Sequence, residues 1–447
     1  MSGPLPVPVR RRARAVQVLA VVARRTGRAA ARLGPALAGR DGGRGARRRA
    51  VGEVVAGELR DGLADLGPTF VKLGQVLSTR PDLVPPVLES ALASLQDSAP
   101  TVPIAQIRRS IREALGAEPE ALFERFAAEP LAAASIGQVH AATLGGGQEV
   151  VVKVRRPGVV EVVEVDLGIL RAGARLLVAL PGPLRRLDLV GFVAEFAATI
   201  RGELDYLAEG RNADRLRPQL DRLGVHAPAV VWSHTSAAVL TLERIFGEKV
   251  DDLVALDAAG VVRARLARTL AEVYLSMVFV DGFFHADPHP GNLFVEPGGR
   301  LAMVDFGMVG TVAPEVRRGL VEILLALAGQ DSLRSARALQ ELGVVPSGVD
   351  EARFLGELDR LTRATVDVPL RELRLAPLLT QLMSVGRRHR LHFPRELALL
   401  VKTVIMCEGL AARLDPEFAL APVLGTFVAA GMRPPRLDPP AAPSDPG

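Results

Sequence analysis

The sequence predicts an α+β chain: a small sheet-containing lobe, a larger helical lobe after it, and a helical extension in front. Three observations carry this reading. The β-rich runs LAAASIGQVHAATL and EVVVKV meet around the Gly145 to Gly147 turn, as the arms of a hairpin do. Before and after that pair, apolar residues recur at the three- and four-residue spacing of amphipathic helices. A length of 447 residues exceeds what one small core can organise, so two packed bodies with extensions are expected.

Taken in order, residues 1–50 hold thirteen arginines against the single acid Asp41, a net +12 in a chain of net +5, which leaves −7 elsewhere. They read as a basic arm, flexible and amphipathic, whose expected partner is an anionic membrane surface. The mostly apolar stretch Ala15 to Ala23 is too short to span a bilayer and is closed by arginines, so it reads as a surface helix. Residues 51–126 form the helical extension, including a helix at Ile104 to Leu115. Residues 127–245 form the sheet-containing lobe. Its hairpin is followed by helices at 159–180 and 190–217 and by strands at Ala229 to Trp232 and Ala237 to Leu242. Residues 246–432 form the helical lobe, interrupted by two apolar runs at 293–295 and 301–304 around a Pro-Gly-Gly turn. Phe418 to Met432 is nearly uncharged but short and broken by Pro422, so it is expected to be packed or membrane-touching, not spanning. Residues 433–447 are dominated by proline and are expected to be disordered. The single cysteine, Cys407, excludes a disulfide framework and a thiolate metal cage. The expected location is cytoplasmic, peripheral at the inner face of the membrane, with no spanning helix.

The segment HADPHPGNLFVEPGGRLAMVDFG carries the chemistry. Asp287, Asn292 and Asp305 are hard oxygen ligands of the kind that hold Mg²⁺ on a nucleotide phosphate. Asp287 precedes Asn292 by the spacing of a protein-kinase catalytic loop, and Asp305-Phe306-Gly307 follows an apolar strand, as the second metal ligand of a kinase does. Asx turns alone would be the plain structural reading of the same residues. A zinc pair from His285 and His289 is excluded, because Pro288 breaks the helix it requires. Only four of 55 basic residues are lysine, so each marks a place where a compact ammonium is worth testing. Lys153 lies in EVVVKV, where a kinase carries the lysine that holds the α- and β-phosphates and needs a helix carboxylate. On a continuous helix at about 100° per residue, Asp205 and Glu209 share a face and Glu203 points elsewhere, so Glu209 is the chosen partner of Lys153. Where a kinase has a glycine-rich loop, this chain has Ala132-Ala133-Ala134-Ser135. Their Cβ atoms disfavour positive φ, so nucleotide handling is expected to be atypical.

These residues together resemble the UbiB/AarF-type atypical kinase family. The resemblance runs from about Ala50 to Leu420 and rests on Lys72-Leu73-Gly74-Gln75 (KxGQ), the alanine loop, Glu203-Leu204-Asp205 (ExD) and Asp305-Phe306-Gly307, in that order. It implies a protein-kinase-like two-lobe fold whose KxGQ helices cover the site where a protein substrate would bind. It also implies that Lys72 and Gln75 face the nucleotide and the ExD carboxylates, which would give Glu203 its partner. Members of this family resemble ATPases or small-molecule kinases that support isoprenoid-quinone or other lipid metabolism. Many bacterial members end in hydrophobic anchoring helices where this sequence has its proline-rich segment.

The reading is therefore a Mg²⁺-dependent ATP/ADP-handling enzyme. Asn292 and Asp305 sit on metal, Lys153 on phosphate, Asp287 orients the acceptor or water, and Lys72 gates the site. Its expected partners are the nucleotide, a lipid or quinone-pathway ligand and the membrane surface. The alternative is a catalytically weak, nucleotide-switched scaffold at a membrane surface. Nucleic acid is not expected as a partner, because aromatics make up 4% of the chain and none interleave with arginine in the arm.

Overall fold

The computed structural model describes residues 11–38, 44–78, 84–95, 100–181, 188–329, 331–345, 348–363, 368, 372–389, 391 and 393–430. The expectation of disorder at 433–447 lies outside these residues, as do residues 1–10 and 39–43 of the arm. The chain divides into two compact units: Met1–Ala208 with Val231–Glu243, and Glu209–Val230 with Arg244–Gly447. Residues 209–230, which the sequence assigns to the sheet-containing lobe, pack with the second unit.

The first unit opens with helices α1 (Arg11–Ala38), α2 (Arg44–Leu66), α3 (Pro68–Ser78), α4 (Pro86–Ala93), α5 (Ile104–Leu115) and α6 (Pro119–Leu122). Strands β1 (Arg125–Ala133), β2 (Gly137–Thr143) and β3 (Glu149–Arg155) follow, then α7 (Val159–Ala179) and α8 (Leu189–Glu203). With β4 (Val239–Glu243) the strands form an antiparallel sheet in the order β1-β2-β3-β4. β1 is an edge strand and carries Pro130, whose missing N–H an edge tolerates. Val150, Val152 and Val154 of β3 are fully buried against Ile107 and Ile111 of α5. A second core in this unit gathers Leu63, Phe70 and Leu73 of the extension with Val163, Leu167 and Phe196.

One expectation is extended and one corrected in this unit. Over its described length the arm is helical, and α1 packs into the unit: Val21 is buried, and Arg14 forms a 2.8 Å ion pair with the fully buried Asp166 of α7. Arg24 and Arg25 pair with Asp65 of α2, and Arg25 and Arg32 pair with Glu58. No strand forms at Ala229 to Trp232; a 3₁₀ turn occupies Trp232–His234, while Val231 N–H donates to Thr241 O.

The second unit contains most of α9 (Tyr206–Arg222), β5 (Glu248–Lys249), α10 (Leu253–Ala258) and α11 (Arg263–Ser276), which runs into a π turn at Met277–Asp281. The short strands β6 (Phe283–His285), β7 (Leu293–Val295), β8 (Leu301–Met303) and β9 (Val309–Thr311) follow. The unit closes with α12 (Pro314–Ala328), α13 (Ser332–Glu341), α14 (Glu351–Arg363), α15 (Leu375–His389), α16 (Arg395–Leu414) and α17 (Leu420–Ala429). Antiparallel β5-β7-β8 and β6-β9 are small sheets; of their strands the sequence predicts only β7 and β8. The main core joins Leu270 and Tyr274 of α11 to Phe284, Phe306, Leu410 and Ala411. Leu420, Leu424 and Phe427 of α17 are buried in it, so the uncharged C-terminal stretch is a packed helix over Leu420–Ala429. The buried carboxylate of Glu408 accepts the backbone N–H groups of Leu375 and Ala376 at the start of α15 and of Leu420 at the start of α17. It thereby satisfies orphan donors at two helix N-termini.

Candidate active site

In the first unit, the alternation of β3 turns Lys153 to the face opposite the buried valines, where it lies in register with Val139 and Leu240. Its ammonium sits 5.2 Å from the ring centroid of Tyr206, a cation–π distance. Tyr206 is fully buried and opens α9. A Cβ at Gly137 would come within 2.2 Å of the Tyr206 hydroxyl and 3.1 Å of Val154 O, which accounts for glycine at that position. Ala132 and Ala133 close β1 opposite Val139 and Gln138. The turn is tight: Ala134 N–H donates to Gly137 O at 2.9 Å, Arg156 donates to Ala134 O at 2.8 Å, and Ser135 is buried. None of these alanines needs positive φ, because Asp305 is the only non-glycine residue with positive φ among the described residues.

Lys72 of α3 reaches Glu203 with a 2.9 Å ion pair, 18% and 11% exposed. Gly74 lets α3 pack closely within the extension: a Cβ there would lie 2.3 Å from Leu95 Cδ1 and 3.0 Å from Leu63 Cδ1. Gln75 turns elsewhere, its amide donating to Leu95 O at 3.2 Å, so that group ties α3 to the end of α4. The single helix expected over 190–217 is broken at Leu204. Glu203 ends α8, whereas Asp205 caps α9, its Oδ1 accepting from Leu207 N at 3.0 Å and Ala208 N at 3.3 Å. Arg155 captures Leu204 O at 2.6 Å. The helical-phase comparison of Glu203, Asp205 and Glu209 therefore does not apply, because a side chain that competes for backbone donors starts a new helix between them.

In the second unit, Asp305 has φ +63°, a left-handed conformation that costs an L-residue about 1–2 kcal/mol. Two hydrogen bonds hold it there, one of them braced from behind. Asp305 Oδ1 accepts from Gly307 N at 3.1 Å, and its carbonyl accepts from His285 Nε2 at 2.8 Å. His285 Nδ1 in turn accepts from the Tyr274 hydroxyl at 3.1 Å. Burial, then Cys407 and Asp287, push the Tyr274 phenol well above its ordinary pKa, so it stays a donor. The Cys407 thiol is likewise pushed up to about 12 by burial and is no nucleophile. Asn292 Nδ2 donates to Asp287 Oδ2 at 3.1 Å and to Asp287 O at 3.3 Å, and Asn292 O accepts from Val304 N, next to Asp305. Glu209 is buried on α9, and Asn212, one turn on, donates to Phe306 O at 3.0 Å. A Cβ at Gly307 would lie 3.2 Å from Asp305 Oδ1 and 3.9 Å from Glu209 Oε2, so glycine keeps the space beside both carboxylates open. His289 Nδ1 accepts from Gly291 N, a turn contact.

These residues fit a magnesium ion. With its nitrogen spent on Asp287, Asn292 has its amide oxygen left as a hard ligand of the same donor type as the Asp305 carboxylate. Among the described residues no group of three His, Cys or acidic side chains could hold a metal. Residue-level reading missed Tyr206 beneath Lys153, and it missed Lys402 of α16, 3.4 Å from Asp287 Oδ1. The rarity of lysine was the available signal for the second.

Residues 94–339 match the ABC1 atypical kinase-like domain, and residues 358–419 match the UbiB helical domain. The chain belongs to the UbiB/ABC1 atypical kinase-like family. It is 38% identical over 380 residues to a probable protein kinase UbiB of Marinobacter nauticus, covering 84% of this chain and 70% of that one. It is 34% identical over 406 residues to the chloroplastic Activity of BC1 complex kinase 8 of Arabidopsis thaliana, covering 83% and 53%. Among solved structures, the Mycobacterium tuberculosis protein Rv3197, in complex with erythromycin, aligns with a TM-score of 0.58 at 26% identity over 83% of this chain and 95% of that one. The protein-kinase-like α+β fold class is that of this family. No described helix of this UbiB-family chain is long and apolar enough to cross a membrane.

Proposed function

We propose that this UbiB-family protein is a Mg²⁺-dependent ATP-handling enzyme, an ATPase or small-molecule phosphotransferase that supports isoprenoid-quinone or lipid metabolism. The observation that carries the reading is the Asp287, Asn292, Asp305 constellation, in which a strained aspartate is held by two hydrogen bonds and one carboxylate is oriented by an amide. Backbone strain persists where the surroundings over-determine it, and it concentrates at working sites. Asp287, held through Oδ2, orients an acceptor hydroxyl or water. Asn292 and Asp305 hold the metal, which when bound supplies neutralisation of phosphate charge. Lys153, steadied over Tyr206, holds phosphate oxygens; Glu209 is the carboxylate assigned to orient it. The turn Ala132-Ala133-Ala134-Ser135, braced by Arg156, limits how closely backbone approaches phosphate. A further part of the reading is contact with an anionic membrane surface through α1, which exposes Val16, Leu19 and Val22 on one side.

The experiment is a thermal-shift comparison of Mg-ATP and Mg-ADP with buffer, run beside ATP hydrolysis, on wild type and on Asp305→Asn. Stabilisation by nucleotide with turnover abolished in the variant supports the enzyme. Stabilisation without turnover in wild type favours a nucleotide-switched scaffold. No shift with either nucleotide overturns both.

A further inference from the structure

Lys402 stands in α16, within the part of the chain that matches the UbiB helical domain, yet its ammonium lies 3.4 Å from Oδ1 of Asp287 in the ABC1 domain. The other oxygen, Oδ2, is taken by Asn292 at 3.1 Å. Each oxygen of this carboxylate thus has its own donor, which leaves the group one orientation. The approach of α16 is fixed independently. Thr403, the next residue, is 1% exposed and bridges Leu399 O at 2.8 Å and Ala286 O at 3.4 Å, directly before Asp287. Leu400, Cys407, Leu410, Ala411 and Leu414 of the same helix are buried in the core that holds Tyr274 and Phe306.

Stability does not explain the lysine. The pair is 20% and 32% exposed, and ion pairs this open contribute little to folding. Nor does the general composition of the chain, in which 51 of 55 basic residues are arginine. The difference between the two cations does explain it. A guanidinium fork engages both oxygens of a carboxylate and would compete with Asn292 for Oδ2, whereas an ammonium is a point charge that takes one oxygen and leaves the other. We propose that Lys402 is a positioning residue for Asp287, supplied to the ABC1 domain by the UbiB helical domain, so that the helical domain completes the acceptor side of the active site.

This inference rests on the reading of Asp287 as the residue that orients the acceptor. The test measures ATP hydrolysis and Mg-ATP thermal stabilisation for Lys402→Ala, Lys402→Arg and Lys402→Met, each also combined with Asp287→Asn. Lys402→Met removes the charge, keeps an unbranched apolar side chain at a position whose ammonium lies 4.0 Å from Met308 Sδ, and covers the case in which alanine fails to fold. The expected result is a kcat lowered about tenfold to a hundredfold, with KM for ATP and the nucleotide-induced shift within about twofold of wild type. Arginine should fail to rescue. In the Asp287→Asn background, removing Lys402 should change nothing further, since the two act as one unit. Wild-type kcat in Lys402→Met, rescue by arginine, or additive losses would overturn the positioning role and leave the nucleotide site standing. A wild-type protein with neither turnover nor nucleotide shift would overturn the active-site reading and this role together.

Discussion

Glu203 is 11% exposed and pairs with the ammonium of Lys72 at 2.9 Å, so Lys72 is no ordinary surface lysine. Replacing one partner of a pair this covered removes a charge-assisted contact, and Lys72→Ala should cost about 1–3 kcal/mol in thermal or urea unfolding. If Lys72 also occupies the place of a peptide, the same variant should gain autophosphorylation or altered ATP hydrolysis, while Lys153→Ala should only lose activity. A Lys72→Ala protein indistinguishable from wild type in unfolding and nucleotide use would remove the gating role. Spacing makes several of these residues legible from sequence: Asp287 and Asn292 stand five apart in one loop, and Lys153 alternates with valines in one strand. Other features arise only in three dimensions. The positive φ of Asp305 is imposed by contacts from His285 and Gly307, and Tyr206 comes under Lys153 only because α9 begins one residue after a cap that periodicity does not reveal.

Among the elements, α1 departs furthest from its sequence expectation. Its arginines read as a field for anionic surfaces, yet Arg14, Arg24, Arg25 and Arg32 are engaged by acids of α2 and α7. One helix therefore carries a docking side and an outward apolar side, with Val16 at 64% and Leu19 at 67% exposure, and the two separate experimentally. Arg14→Met should destabilise the chain by about 3 kcal/mol in urea unfolding, because Asp166 is left buried and unpaired. Leu19→Ser should leave stability within about 0.5 kcal/mol yet weaken co-sedimentation with anionic vesicles. Vesicle binding unchanged by Leu19→Ser and insensitive to salt would count against the membrane role. Long periodic helices such as α5 are legible because Pro103 and the left-handed Gly116 bound a regular apolar face. The three-residue strands β6 and β9 are too short to show alternation, and the split between α8 and α9 depends on Arg155 reaching Leu204 O from a distant strand.

At the scale of the whole molecule, the arrangement of charge sets an acid limit on the fold, and its sign follows from the environment of each group. Hydrogen bonding to Arg25 holds Asp65 below its ordinary 3.8; Arg201 and Arg388 hold Glu164 and Glu357 below 4.5. Each contributes stability that is complete above the unfolded value and is lost as pH falls through the lower folded one. Buried His140 behaves differently in cause and window. Burial lowers its pKa from 6.5, and its Nδ1 faces Ala127 O at 2.9 Å while its Nε2 faces the Gln138 amide at 3.3 Å. A carbonyl can only accept, so Nδ1 carries the hydrogen and Nε2 accepts, and a second proton would set donor against donor. Below about pH 6.5 the unfolded chain takes up a proton that the folded sheet refuses, so stability falls as pH drops, well before the carboxylates respond. The melting temperature should therefore decline in two limbs, one beginning near pH 6.5 and a steeper one below about pH 4.5. His140→Gln, which cannot titrate, should flatten the first limb and leave the second intact. An unchanged slope between pH 6.5 and 5 in that variant would show that another group governs the neutral limb.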